Sequence, residues 1–168
     1  MIFLTVGTQF SFDRLVKAVD EAVGNNGFNE RLFAQIGTGA GYKPQKLEYT
    51  ASLSKEDFDK YFKQAAAVIS HGGVGTITMA LEHHKPLLVM PRLKKYGEVV
   101  NDHQVDLAKK FEAQGHILVA YNEQELPEKL HQLGLFSPRP RQNQIKAVAG
   151  RIAEFLKRAN NEKYNNIR

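Results

Sequence analysis

Ile69-Ser70-His71-Gly72-Gly73-Val74-Gly75-Thr76 decides how the rest of the chain is read, because an apolar run ends there and a glycine-rich turn opens a predicted helix. Lacking Cβ atoms, Gly72, Gly73 and Gly75 let the backbone approach a ligand closely, so several N–H groups can converge on one anion. The helix that follows adds the positive end of its dipole and its unpaired first-turn donors. The same glycines would also serve a plain strand-to-helix turn that holds nothing, and the stretch alone does not choose between the two.

Outward from this turn, strand and helix alternate. Ile2 to Val6 is a short apolar run ending in Gly7-Thr8-Gln9, and Ser11 or Asp13 can cap a helix carrying Leu15, Val16, Val19 and Val23 at helical spacing. Gly24 to Gly27 stops that helix, and Leu32 to Ile36 predicts a second strand running into a second glycine loop, Gly37-Thr38-Gly39-Ala40-Gly41. Leu47 to Thr50 reads as a short strand, Ser54 as the cap of a helix through Phe58 and Phe62, and Ala66 to Ser70 as the buried strand feeding the opening turn. The helix after the turn is predicted over Thr76 to His84, with Ile77, Ala80, Leu81 and His84 facing inward, since Pro86 cannot continue it. Leu87 to Met90 gives a further strand, and the polar connection from Arg92 to Val100 is long enough to suggest a functional loop. Asn101 can cap a helix through Leu107, Ala108 and Phe111; Ile117 to Ala120 is a strand, and residues 123–133 a helix. A last helix is expected over 141–156, in a domain assigned to residues 1–158 with a polar tail at 159–168.

This alternation predicts an α/β fold, a Rossmann-like parallel sheet with helices on both faces and ligands at the C-terminal ends of the strands. Val6-Gly7-Thr8, Ile36-Gly37-Thr38 and Val74-Gly75-Thr76 then gather on one rim. Convergence of three such loops favours a phosphate or nucleotide site over three unrelated turns.

The totals narrow the choice. At 168 residues the chain has room for one α/β domain and not two. The absence of cysteine removes disulfides, thiolate catalysis and cysteine metal sites. No apolar run is long enough to span a bilayer, and Met1 to Thr5 lacks a basic leader, so the expected location is the cytosol. A net charge of +5 points to anionic company, while the lack of tryptophan and of aromatics interleaved with basic residues argues against a nucleic-acid platform. A dinucleotide fingerprint would need Gly-x-Gly-x-x-Gly after the first strand, which Gly7-Thr8-Gln9-Phe10-Ser11-Phe12 does not supply, and no Gly-Lys-Ser/Thr ending of a P-loop occurs. No cofactor is therefore expected. His83 and His84 are adjacent and point to different faces of a helix, and His71 and His103 lack a carboxylate at ligand spacing, so no metal is expected either.

Val6-Gly7-Thr8, the His71 to Thr76 turn, and Pro91-Arg92-Leu93-Lys94-Lys95-Tyr96-Gly97-Glu98 followed by Asn101-Asp102-His103-Gln104 resemble, in this order, the donor-binding C-terminal half of GT-B glycosyltransferases. The likeness extends over roughly residues 1 to 155. It is strongest to small bacterial exopolysaccharide glycosyltransferase subunits, which are similar to the catalytic subunit of the dolichol-pathway UDP-N-acetylglucosamine transferase and to glycosyltransferase family 28 C-terminal domains. The resemblance implies that His71, Gly72, Gly73, Gly75 and Thr76 hold the diphosphate of a UDP-sugar, with Gly7 and Thr8 bordering the pocket. It implies that Asp102, His103 and Gln104 meet the hydroxyls of the donor sugar, a task suited to side chains that both give and accept hydrogen bonds. The family's ribose-binding glutamate falls on Met79, a poor acceptor. Glu82, one helical turn on, either replaces it or is a solvated surface carboxylate.

The resemblance further implies transfer of a sugar from UDP-sugar to a lipid-diphosphate-linked acceptor in exopolysaccharide or capsule synthesis. A separate membrane-anchored subunit would supply the acceptor site and would hold this chain at the inner face of the membrane. The competing reading is a non-catalytic nucleotide-sugar-binding module that regulates a partner. His71 and Arg92 are the catalytic candidates, with His71 alternatively completing the hydrogen bonds of its own turn. Arg92, Lys94, Lys95 and Glu98 read either as a solvated loop or as groups that stabilise the leaving diphosphate, meet an acidic sugar, or draw the chain to an anionic membrane. Phe10 and Phe12 are core candidates, and either one, if exposed, could meet a partner.

Overall fold

A computed structural model describes residues 1–25 and 30–140. The helix expected over 141–156, the domain limit at 158 and the tail lie outside the described residues. The elements are β1 (Ile2–Thr5), α1 (Asp13–Asn25), β2 (Leu32–Gln35), β3 (Glu48–Thr50), α2 (Lys55–Gln64), β4 (Ala67–Ser70), α3 (Val74–Glu82), β5 (Leu87–Val89), α4 (His103–Ala113), β6 (Leu118–Val119) and α5 (Leu126–Leu133), with one 3₁₀ turn at Lys94–Tyr96. The strands form one sheet in the order β3-β2-β1-β4-β5-β6, and every pairing is parallel. This is the Rossmann-like architecture that the alternation of elements predicts, with its reversal of strand order between β1 and β4.

Successive side chains of a strand point to opposite faces, and here each face is covered. Ile2, Leu4, Ala34, Ile69 and Leu88 join Leu15, Val16 and Val19 of α1 and Leu126, Leu130 and Leu133 of α5 in one core. Phe3, Val68, Leu87, Val89 and Val119 join Phe62 of α2, Ile77, Ala80 and Leu81 of α3, and Ala108 of α4 in the other. Aromatic packing adds to the second core, where Phe33 stacks on Tyr61 with ring centroids 4.2 Å apart.

Two local expectations change. His84 was expected to face inward. Instead α3 ends at Glu82, and His84 is exposed and left-handed, with φ 51°. The turn into Pro86 twists it off the helix before it can reach the core. Asn101 is expected to cap α4, but the helix begins at His103 with Asp102 at the cap position, while the Asn101 side chain accepts from the His103 N–H at 3.3 Å. Ser54 caps α2 as predicted, accepting from the Asp57 N–H.

Candidate functional site

The site starts from a polar layer that closes the apolar sheet. Thr5, Gln35 and Ser70 are the last residues of β1, β2 and β4, they share one register level, and all three are buried. Burial obliges them to pair. Thr5 Oγ1 donates to Gln35 Oε1 at 2.7 Å, Gln35 Nε2 donates to the Gly7 carbonyl at 3.0 Å, and Ser70 Oγ donates to the Thr5 carbonyl at 3.0 Å. The layer pins the loops above it. Two residues beyond each polar residue stands a glycine of positive φ, namely Gly7 at 81°, Gly37 at 88° and Gly72 at 83°, a conformation that disfavours any side chain.

The three loops therefore do converge on one rim, but the grouping of Gly75 with Gly7 and Gly37 is corrected. The equivalent glycine after β4 is Gly72, while Gly75 lies in the first turn of α3 with open space where a Cβ would go. Gly73 is the N-cap of α3 and offers no side-chain partner, so the cap leaves the first-turn N–H groups without one.

His71 occupies the space that the glycines leave. A methyl group on Gly7 would come within 2.9 Å of its Cε1, and one on Gly73 within 2.5 Å of its Nε2. Its Nδ1 lies 3.2 Å from Ser70 Oγ. Since Ser70 spends its single proton on the Thr5 carbonyl, Nδ1 must be the donor and Nε2 carries the free lone pair. Burial, then the nearby Arg92 charge, pull the His71 pKa down to about 4 against a small opposing effect of a hydrogen bond to the Thr5 backbone. The ring is neutral at physiological pH.

Arg92 is buried beneath the first loop. It donates to the Val6 carbonyl at 2.9 Å and to the Phe10 carbonyl at 2.7 Å, and its guanidinium lies 5.1 Å from the centroid of the Phe12 ring. Burial lowers its pKa, offset in part by Glu98, and an arginine in that position stays charged. Its Nε has no protein partner. A buried cation bonded only to carbonyls thus sits beside His71, under Gly7 and Thr8.

The loop after β5 is held by a residue that sequence reasoning missed. Arg14 of α1 grips both oxygens of Glu98, at 2.8 and 2.9 Å, donates to the Pro91 carbonyl at 3.0 Å, and stacks between Phe12 and Tyr96. Burial works against its charge, but Glu98 and Glu123 outweigh that and raise its pKa. Glu98 also accepts from the Leu93 N–H at 2.8 Å. Phe12 is core and Phe10 is 64% exposed.

The remaining expected site residues divide. Gln104 is buried, and its Oε1 accepts from the Arg92 N–H at 3.1 Å, which makes it a strut of the loop. Asp102 and His103 are exposed at the start of α4, and Asp102 Oδ1 takes the Lys94 N–H at 2.7 Å. Thr76 lies half-buried in the first turn of α3. Glu82 is not brought to the rim. It is exposed at the far end of α3, eight residues beyond Val74, or about 12 Å along the helix.

A short signal could have found the polar layer: Thr5-Val6-Gly7, Gln35-Ile36-Gly37 and Ser70-His71-Gly72 repeat a polar residue two before a glycine at the end of an apolar strand. No such signal marks Arg14, whose partner Glu98 lies 84 residues away.

Comparison with known proteins gives the chain a family. The glycosyltransferase family 28 C-terminal domain matches residues 1–162. The human UDP-N-acetylglucosamine transferase subunit ALG13 is 33% identical over 125 residues, which is 69% of this chain and 10% of that protein, so the chain spans about a tenth of the length of such a relative. Two solved structures share the fold. The NMR structure of ALG13 has a TM-score of 0.55 at 21% identity, covering 83% of this chain and 87% of that one. The crystal structure of Acinetobacter baumannii MurG has a TM-score of 0.56 at 22% identity, covering 78% and 39%. With the family matched over nearly its whole length and the fold shared with glycosyltransferase domains, the chain belongs to the glycosyltransferase family 28 C-terminal domains.

Proposed function

We propose that this domain is the donor-binding, catalytic part of a two-component glycosyltransferase, which moves a sugar from a UDP-sugar to a lipid-diphosphate-linked acceptor in exopolysaccharide or capsule synthesis. One observation carries the reading: the unshielded N-terminus of α3, the His71 ring and the buried Arg92 cation meet at one rim. A diphosphate placed there accepts from the N–H groups of the helix start and sits in the positive field of Arg92. As the bond from the anomeric carbon to the diphosphate oxygen breaks, negative charge grows on the departing UDP, and the same groups stabilise it. Thr76 and Thr8 add hydroxyl donors, and Asp102 and His103 at the start of α4 face outward to meet the sugar.

The acceptor hydroxyl must lose a proton. Glu98 is held by Arg14 and the Leu93 N–H and Asp102 accepts from the Lys94 N–H, and in this reading the base comes from a membrane-anchored partner that also supplies the acceptor site. Among the described residues no helix is long and apolar enough to cross a membrane, and in this reading the partner provides the attachment. The same commitment of carboxylates favours the second reading, a nucleotide-sugar-binding module that regulates its partner without catalysis.

Titration calorimetry with UDP, UDP-sugars, ADP and NAD tests the donor reading. UDP is expected to bind in the micromolar range and ADP and NAD at least tenfold more weakly, about 1.4 kcal/mol; a chain that takes up no UDP ends this reading. Sugar transfer by the chain with its partner, and little by the chain alone, separates enzyme from regulator.

A further inference from the structure

The loop after β5 carries charge that the diphosphate cradle does not use. Between Arg92 and Asn101 the sequence has three cations, Arg92, Lys94 and Lys95, and one carboxylate, Glu98, and the fold sorts them by exposure. Arg92 is drawn inward onto the Val6 and Phe10 carbonyls, and Glu98 onto Arg14. Lys94 and Lys95 stay exposed and, among the described residues, neither ammonium is ion-paired. Lys95 Nζ rests 4.7 Å from the centroid of the Tyr96 ring, which is 52% exposed, and Val100 is 87% exposed. Asp102, the exposed carboxylate at the foot of the loop, accepts from the Lys94 N–H. The outward face of the loop thus presents two cations, an aromatic ring and an aliphatic side chain. The loop is also braced, because the Gly97 N–H donates to the Lys94 carbonyl at 2.9 Å and Arg14 holds Glu98 behind it.

We propose that this face, Lys94–Tyr96 with Val100, rests directly on the anionic surface of a lipid bilayer. The residue types choose the occupant. A protein partner would have to strip water from two lysines, which are depleted in protein interfaces. A bilayer asks for no such step, since lysine stems lie along the interface while the ammonium meets lipid phosphates, and tyrosine settles at the headgroup level. The net charge of +5 draws the whole chain to such a surface, and the patch decides which end arrives first.

The inference deepens the lipid-linked acceptor reading and rests on it for its purpose. An acceptor held by its lipid keeps its diphosphate at headgroup level, so the rim that carries the cradle must turn toward the bilayer. Contact through the loop after β5 turns it that way, and Phe10 and Val74, both exposed, lie on the same rim. Two lysines and two apolar side chains fall short of a stable anchor. They orient a domain that the partner keeps at the membrane.

Co-sedimentation of the full chain with vesicles of phosphatidylglycerol and phosphatidylcholine in equal parts, against pure phosphatidylcholine, tests the contact. It needs neither UDP nor the partner, so this inference and the transferase reading fail separately. The chain is expected to favour the anionic vesicles at least tenfold at about 0.1 M salt and to lose the preference near 1 M, where the screening length is roughly 3 Å. Lys94→Gln with Lys95→Gln should lower partitioning about tenfold or more, since each lysine at an anionic surface contributes about fivefold, and Val100→Ser about threefold. Lys109→Gln with Lys110→Gln removes the same charge from exposed positions in the second half of α4, away from the rim, and should cost less than about threefold. Equal losses from the two pairs would reveal attraction by net charge alone and overturn the inference, as would no preference for the anionic vesicles. Saturating UDP is expected to leave partitioning unchanged; if it abolishes the preference, the lysines belong to the nucleotide and the inference is overturned. A paramagnetic chelate on the lipid headgroup should broaden the amides of residues 94–100 before those of residues 109–113, and the reverse order overturns the inference. Amide spectra of each variant report that it is folded.

Discussion

The turn His71–Thr76 and the loop Pro91–Glu98 sit on the same rim, after neighbouring strands, and are held in opposite ways. The turn is local. Its strand, its glycines and the helix it opens are contiguous, and the polar layer beneath supports it. The loop takes its shape from far away, from Arg14 of α1 and Phe12 just before it, through an ion pair, cation–ring contacts and backbone carbonyls. A residue whose role depends on its neighbours in sequence can be read from sequence. One whose role depends on a partner dozens of residues away cannot, because a solvated charge and a buried strut look alike in one dimension.

The largest effect should come from breaking the distant support. Arg14→Ala leaves Glu98 nearly buried without its cation, and removing one partner of such a pair costs about 3 kcal/mol, measurable by urea unfolding. Hydrogen exchange should quicken at Leu93–Glu98 and stay slow at the amides beneath the turn; uniform quickening would mean that the two regions are not independently held. The turn has its own weak point. Gly72→Ala forces a side chain into φ 83° and within 2.8 Å of Val89 Cγ1, at an expected cost of about 2 kcal/mol. Gly75→Ala, in open space and in a helix, should instead stabilise by about 0.5–1 kcal/mol. If the two alanines behave alike, the division of labour between these glycines is wrong.

Acid separates the regions further. The folded His71 pKa of about 4 lies below the usual 6.5, so the folded chain binds this proton less readily than the unfolded one. The stability associated with it is complete above pH 6.5 and is lost as pH falls toward 4, by roughly 3 kcal/mol. His71→Asn should flatten that slope in urea titrations across pH. A diphosphate against the bare Nε2 favours the protonated ring, so UDP binding should take up a proton and strengthen toward pH 5. Calorimetry in buffers of different ionisation heat reads this directly, and equal heats would place the diphosphate away from His71.

Legibility followed the same division. The parallel sheet, the order of elements and the rim were readable because apolar runs of strand length alternate with runs of helical spacing. The gathering of the three Gly-Thr pairs on one rim was readable, but the glycine of positive φ after β4 is Gly72 and not Gly75, a difference that the dipeptides do not reveal. The resemblance names Gln104 and Glu98 as ligand contacts, and their further roles as acceptors of the Arg92 N–H, of Arg14 and of the Leu93 N–H leave no mark in the sequence. The buried Thr5, Gln35 and Ser70 were overlooked because a polar residue at a strand end reads as the start of a loop.

The smallest effect concerns α3, where turn and helix meet. Met79 packs against the core of Phe62, Ile77 and Val89, and Glu82 is exposed another turn from the rim. For Glu82 to serve the ribose, its carboxylate would have to reach back along the helix past Met79, about 4.5 Å farther from the helix start. Side chains on a helix do lean toward the N-terminus, which shortens that gap, but an exposed carboxylate must also give up its water to make the contact. The expected outcome is that Glu82→Gln and Met79→Leu each change UDP affinity by less than about twofold, the range of an exposed side chain's weak contacts. A selective loss in Glu82→Gln would restore the carboxylate to the ribose and would require α3 to present its second turn, as well as its first, to the nucleotide.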